Sequence, residues 1–172
     1  MVKCVFLDRD GVINKVKVIN GKPHAPLFFK DFKILPNVKK TIEWFAKKKY
    51  LVIVITNQPE INKKNLSKTE FDSMTKKLFL NLKIDDLYFC PHTKDQGCQC
   101  RKPKIGLFER AITKYNINLK KSYFIGDRKS DIDVKKFITI KTIYIDNDYG
   151  EDKPKNFDYT CSSLQETKKF II

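Results

Sequence analysis

The chain has 172 residues, enough to bury a full core as one domain, and its 41% apolar and 32% charged content is that of a folded globular protein rather than a disordered one. No apolar stretch approaches the roughly 18–20 residues needed to span a bilayer, so no membrane partner is expected. The formal charge of +15 could serve nucleic acid, but the lysines are scattered (Lys39, Lys40, Lys47, Lys63, Lys153, Lys155). A solvated surface whose field attracts an anionic small substrate fits that scatter better than a nucleic-acid groove.

In chain order, Cys4–Leu7 reads as a short buried strand that stops at Asp8-Arg9-Asp10-Gly11. By itself this could be a strand running into a polar turn, because Asp-Gly is a common turn pair. Residues 15–35 carry Asn20-Gly21, a hairpin turn signal, between Val/Ile-rich arms, followed by His24-Ala25-Pro26. Too short for a domain and placed just after the acidic pair, this segment is expected to form a flap, with His24 on its surface. Pro36-Asn37 opens a helix through Val38, Ile42, Phe45 and Ala46. The strand Leu51–Ile55 ends in Thr56-Asn57-Gln58. Ser67-Lys68-Thr69-Glu70 is a capping-box sequence before Phe71, Met74, Leu78 and Leu82 at helical spacing. A weaker strand, Leu87–Phe89, leads into a ligand-rich loop over residues 90–103. Ile105–Tyr115 predicts a third helix, Tyr123–Ile125 a strand ending in Gly126-Asp127-Arg128, Asp131–Phe137 a short helix, and Thr142–Ile145 a last strand.

This alternation predicts one α/β domain over 1–172, a Rossmann-like three-layer α/β/α sandwich with a parallel sheet, a small flap and no large cap domain. Small size and the missing cap predict a monomer. No signal-peptide pattern precedes the first strand, which predicts a cytoplasmic protein.

In open α/β sheets, ligands bind at the carboxyl ends of the strands. Those ends carry Asp8 and Asp10, then Thr56, then Asp127 with Asp131 close behind, and Arg101-Lys102-Pro103-Lys104 places cations before a helix. Carboxylates from two strands with a hydroxyl and a lysine would suit Mg²⁺ and a phosphoryl group. Of the five cysteines, three lie between residues 90 and 100. Cys90, His92, Cys98 and Cys100 supply three thiolates and an imidazole, a donor set for tetrahedral Zn²⁺. Four protein ligands leave no open position, so that zinc would be structural, stiffening a loop that positions Arg101 and Lys102. Cys4 and Cys161 read as core thiols.

Asp8-x-Asp10-Gly11, Thr56 after an apolar strand, the Lys102 region and Gly126-Asp127 together resemble, in order and spacing, the four motifs of the haloacid dehalogenase superfamily of phosphatases. More narrowly, Phe6-Leu7-Asp8-Arg9-Asp10-Gly11, Thr56-Asn57-Gln58 and the run from Cys90 to Pro103 resemble its subfamily IIIA, which holds the D,D-heptose 1,7-bisphosphate phosphatases and the histidinol-phosphate phosphatases. The resemblance implies that Asp8 is the nucleophile and Asp10 the acid and base. It also implies that Thr56 and Lys102 bind the transferring phosphoryl oxygens, and that Asp8, the Asp10 carbonyl and Asp127 hold Mg²⁺. Asn57, Gln58, Arg101 and Arg128 would contact the substrate. The implied activity is Mg²⁺-dependent hydrolysis of a small phosphorylated metabolite, with D-glycero-D-manno-heptose 1,7-bisphosphate first and histidinol phosphate as the alternative. A polynucleotide 3′-phosphatase, or a zinc-stabilised binding module without catalysis, is further off. The chain departs from the pattern at Lys15–Pro26 and at Pro59-Glu60-Ile61-Asn62-Lys63-Lys64; the flap and the loop between His92 and Cys98 are expected to form the substrate pocket, with the flap selecting the leaving group.

Overall fold

Cys4, Val5, Phe6 and Leu7 are all fully buried, as an apolar run must be when helices cover both faces of its sheet. They form β1 (Cys4–Leu7), a central strand of a six-stranded sheet; the computed structural model describes residues 1–172. A hairpin of β2 (Lys17–Ile19) and β3 (Lys22–His24) stands apart from that sheet. The remaining elements are α1 (Val38–Lys47), β4 (Leu51–Asn57), α2 (Lys68–Asn81), β5 (Asp86–Cys90), α3 (Gly106–Tyr115), β6 (Tyr123–Gly126), α4 (Lys129–Ile132), β7 (Lys141–Ile145) and β8 (Tyr159–Cys161).

The sheet order is β5-β4-β1-β6-β7-β8 and every pairing is parallel. Alternation along β1 splits the core. Val5 and Leu7 join Val52, Val54 and Ile125 with Ile42 and Phe45 of α1 and Met74 and Leu78 of α2. Cys4 and Phe6 join Ile53, Ile55 and Phe124 with Leu107, Phe108 and Ala111 of α3 on the other face. The predicted three-layer α/β arrangement is therefore present. No helix is long and apolar enough to cross a membrane.

From β1 the chain winds outward through β4 and β5, then crosses back to β6 and winds the other way through β7 and β8. The direction reverses between β1 and β6, so the crevice at their carboxyl ends is the topological switch point. Asp8 follows β1 and Asp127 follows β6, with the Asp8 amide donating to the Ile125 carbonyl at 2.9 Å.

Three elements differ from the sequence reading. β8 has no apolar signature because it is a three-residue edge strand, only half covered. The short helix begins at Lys129 and becomes a tighter 3₁₀ turn over Asp133–Lys136. Ser67 accepts from the Glu70 amide at 3.2 Å, but the Glu70 carboxylate takes the Phe29 amide instead of closing a capping box. That bond moors residues 15–35 to α2. The base of this excursion is a short ladder in which the Lys15 amide donates to the Lys33 carbonyl and the Leu35 amide to the Ile13 carbonyl, so it leaves and returns beside Asp10. At its tip Asn20 (φ 50°) and Gly21 (φ 72°) make the expected tight turn.

Candidate active site

Three strand ends and one loop converge on the crevice. Lys102 arrives from the loop before α3, is 3% exposed, and directs its ammonium at Asp8 Oδ1, Asp131 Oδ1 and the Ile55 carbonyl, each at 2.8 Å. Asn57 at the end of β4 holds it there. Its amide oxygen accepts from the Lys102 backbone N–H at 3.0 Å and its amide nitrogen donates to the Lys102 carbonyl at 3.2 Å. The Asn57 side chain thus grips protein backbone at the site.

One carboxylate oxygen each of Asp8, Asp127 and Asp131 lies within 4.8 Å of the others, and all three side chains are buried. Gly126 makes this possible, because a Cβ there would sit 2.2 Å from Asp131 Cβ. Against three carboxylates stands one ammonium, leaving two negative charges without a partner. Burial pushes the Asp8 carboxyl up to about 7, with the Lys102 charge pulling it down and the Asp131 charge adding to the rise. Burial likewise raises Asp127 well above the usual carboxylate range, helped by the charges of Asp8 and Asp131. For Lys102 burial acts downward, but Asp131 and Asp8 outweigh it and hold the amine above its ordinary value. Asp127 Oδ1 is fully buried and has no hydrogen-bond partner. An excess of buried negative charge and an orphaned carboxylate oxygen fit a hard divalent cation such as Mg²⁺.

Asp10 has a different environment. Its carboxylate accepts from Arg9 Nε at 3.0 Å and a second Arg9 nitrogen at 3.1 Å, from Asn14 at 2.9 Å and from Gln58 at 2.6 Å. Arg9 is completely buried, its guanidinium 5.6 Å from the Phe32 ring centre and 5.5 Å from that of Phe71. Gln58 also donates to Thr56 Oγ1 at 2.9 Å and is itself 1% exposed. Gln58 is therefore spent on Asp10 and Thr56 inside the protein.

Cys90, His92, Cys98 and Cys100 come together as one cluster. His92 Nδ1 lies 3.2 Å from Cys100 Sγ and 3.5 Å from Cys90 Sγ, and the three sulfurs are 3.2–3.6 Å apart. Zn–S bonds near 2.3 Å and Zn–N bonds near 2.0 Å in a tetrahedron put ligands about 3.4–3.8 Å apart, so the donor set and its spacing fit zinc. Arg101 is tied to this loop by a 3.0 Å bond to the His92 carbonyl. Arg128 makes a two-pronged pair with Glu151.

The sequence reading gives no role to Arg9, Asn14, Asn147 or Tyr149, and it places Asp131 near the strand end without a role of its own. The position of Asp131, four residues beyond Asp127 on a helical turn, was the one available signal. Asn147 and Tyr149 follow β7, and nothing in their local sequence marks them: Tyr149 donates to Asp127 Oδ2 at 2.7 Å and Asn147 does so at 3.2 Å.

A family model described as polynucleotide kinase 3 phosphatase matches residues 3–164. The chain is 34% identical, in an alignment of 174 positions that covers 98% of this chain and 95% of the relative, to the D-glycero-alpha-D-manno-heptose-1,7-bisphosphate 7-phosphatase of Campylobacter jejuni. It is 34% identical over 152 residues, 81% of this chain and 80% of the relative, to the D-glycero-beta-D-manno-heptose-1,7-bisphosphate 7-phosphatase of Haemophilus ducreyi. Among solved structures, a D,D-heptose 1,7-bisphosphate phosphatase from B. bronchiseptica, complexed with magnesium and phosphate, superimposes with a TM-score of 0.81 at 21% identity, covering 98% of this chain and 97% of that one.

Proposed function

Since this chain belongs to the haloacid dehalogenase superfamily of phosphatases, in the group of the heptose bisphosphate phosphatases, and is a phosphoric monoester hydrolase, we propose that it removes the 7-phosphate of D-glycero-D-manno-heptose 1,7-bisphosphate. The relationship to the Campylobacter jejuni enzyme, which runs through nearly the whole of both chains, carries the substrate assignment.

In this reading Asp8 attacks phosphorus in line with the leaving alkoxide, the P–O bond to C7 breaks, and an aspartyl-phosphate forms. Asp10 gives its proton to the departing oxygen and then takes one from the water that hydrolyses the acyl phosphate. The four donors around Asp10 hold its carboxylate in one orientation for both transfers. Lys102 and Thr56 bind the equatorial oxygens, where negative charge builds up. Asn57 and Gln58 act one step back, Asn57 by fixing the Lys102 backbone and Gln58 by bridging Thr56 to Asp10. Asp8, Asp127 and the Asp10 carbonyl would hold Mg²⁺, which when bound would offset the negative charge between the Asp8 carboxylate and a phosphate dianion. Arg101 and Arg128 contact the rest of the substrate, and residues 15–35 select it as a flap. Zn²⁺ on Cys90, His92, Cys98 and Cys100 holds the loop that carries Arg101 and Lys102. Thiols of this kind persist in a reducing compartment, which supports a cytoplasmic location. We also take the chain to act as a monomer.

The family model gives a second reading, a polynucleotide 3′-phosphatase. Phosphate release is to be compared on the α and β heptose 1,7-bisphosphates, histidinol phosphate and a 3′-phosphorylated oligonucleotide. The heptose reading expects the highest kcat/KM on one heptose anomer. Preference for histidinol phosphate or the oligonucleotide would replace it.

A further inference from the structure

One side of the Asp127 carboxylate is fully committed and the other is bare. Oδ2 accepts from Tyr149 Oη at 2.7 Å and from Asn147 Nδ2 at 3.2 Å, while Oδ1 is buried with no partner. Asn147 Nδ2 also lies 3.1 Å from the Gly11 carbonyl and 3.0 Å from Tyr149 Oη. Gly11 leaves the room for this, because a Cβ there would fall 1.9 Å from Asp127 Oδ2 and 2.7 Å from Tyr149 Oη. Its φ of +88° is also one that favours glycine. The adjoining Gly150 amide donates to the Gly21 carbonyl at 2.8 Å, so the loop after β7 touches the flap tip as well.

We propose that Tyr149 and Asn147 are positioning residues for the metal site: they saturate Asp127 Oδ2 so that Oδ1 alone faces the cation, and Asn147 fixes the peptide next to the Asp10 carbonyl. This rests on the reading of Asp127 as a Mg²⁺ ligand. A carboxylate with one oxygen pinned by two donors cannot rotate to chelate through both oxygens, so its free oxygen is ordered before the ion arrives. Partners of this kind typically account for tenfold to a hundredfold in metal affinity. Tyr149 is 8% exposed, so little water reaches its hydroxyl to compete with Asp127.

The test is Mg²⁺ binding by calorimetry on zinc-replete protein dialysed free of magnesium, with Mg²⁺-induced thermal shift as a second readout. Tyr149→Phe keeps the ring and removes the donor. It is expected to bind Mg²⁺ about tenfold more weakly at a temperature where the magnesium-free variant is still fully folded. Asn147→Ala, which loses both the Asp127 and Gly11 contacts, is expected to lose more. Wild-type Mg²⁺ isotherms in both variants overturn the proposal, as does a loss of affinity only in step with a lower magnesium-free melting temperature. Asp127→Asn separates the two readings. If it too binds Mg²⁺ normally, the metal-site assignment fails; if it alone loses binding, only the positioning role fails.

Discussion

The Lys102 ammonium and Asp8 Oδ1 lie 2.8 Å apart, although the two residues are 94 positions apart in the chain. Asp8 sits at the end of the central strand, and Lys102 is delivered by the loop that carries the thiol cluster. The proposed nucleophile and the proposed phosphate-binding cation therefore share one buried contact, and either can be changed with a distinct expected result.

Asp8→Asn is expected to abolish turnover and any acid-stable phosphoenzyme trapped with substrate, while circular dichroism stays native. Asp10→Asn should cost about 10²–10⁴-fold in kcat, the usual contribution of a proton-transfer group. Phosphate release at wild-type rate from the Asp8 variant would remove the carboxylate nucleophile.

Lys102→Met should lower kcat by about 10²–10³-fold, the loss seen for a single preorganised donor at developing charge. It also leaves Asp8 and Asp131 buried without their counter-charge, and breaking such a pair costs about 3–5 kcal/mol. Urea unfolding in magnesium-free buffer measures this, and added Mg²⁺ should recover part of it.

The magnesium-free protein should lose stability as pH rises. Burial raises the folded-state Asp8 carboxyl to about 7, above its unfolded value, so the stabilising protonated form is present at low pH and lost as pH passes through about 7. Mg²⁺ competes with that proton. Its apparent affinity should therefore climb as pH rises through the range in which Asp8 and Asp127 give up their protons, a trend that calorimetry between pH 5 and 8 reads directly.

Elemental analysis should find one zinc per chain. Cys98→Ser should remove it and lower activity by up to about 10²-fold, as expected when catalytic groups shift by about 1 Å. Some activity should survive, because Asn57 still holds both backbone groups of Lys102. Full activity in zinc-free protein would end the structural role given to the cluster.

Much of the site is legible in the sequence because its members sit where periodic elements end. An apolar run of four residues announces β1, so Asp8 and Asp10 must stand at its edge. The same holds for Thr56 after β4 and Asp127 after β6. Ligands spaced as Cys-x-His and Cys-x-Cys declare themselves by type alone. Asn57 and Gln58 were placed at the site by the same logic, but their side chains turn to Lys102, Asp10 and Thr56. Type and position along a strand do not say which neighbour an amide will meet.

The sequence by itself determined the alternation of strands and helices, the three strand ends that carry polar groups, and the donor set of the thiol loop, because each is encoded within a few residues. Only the tertiary structure decided that Lys102 serves Asp8 and Asp131 at once, that the Arg9 guanidinium lies over the Phe32 and Phe71 rings, and that Asn147 and Tyr149 close on Asp127. Those contacts join elements far apart in the chain, and their geometry depends on the sheet order and on room left at Gly11 and Gly126, which no local pattern records.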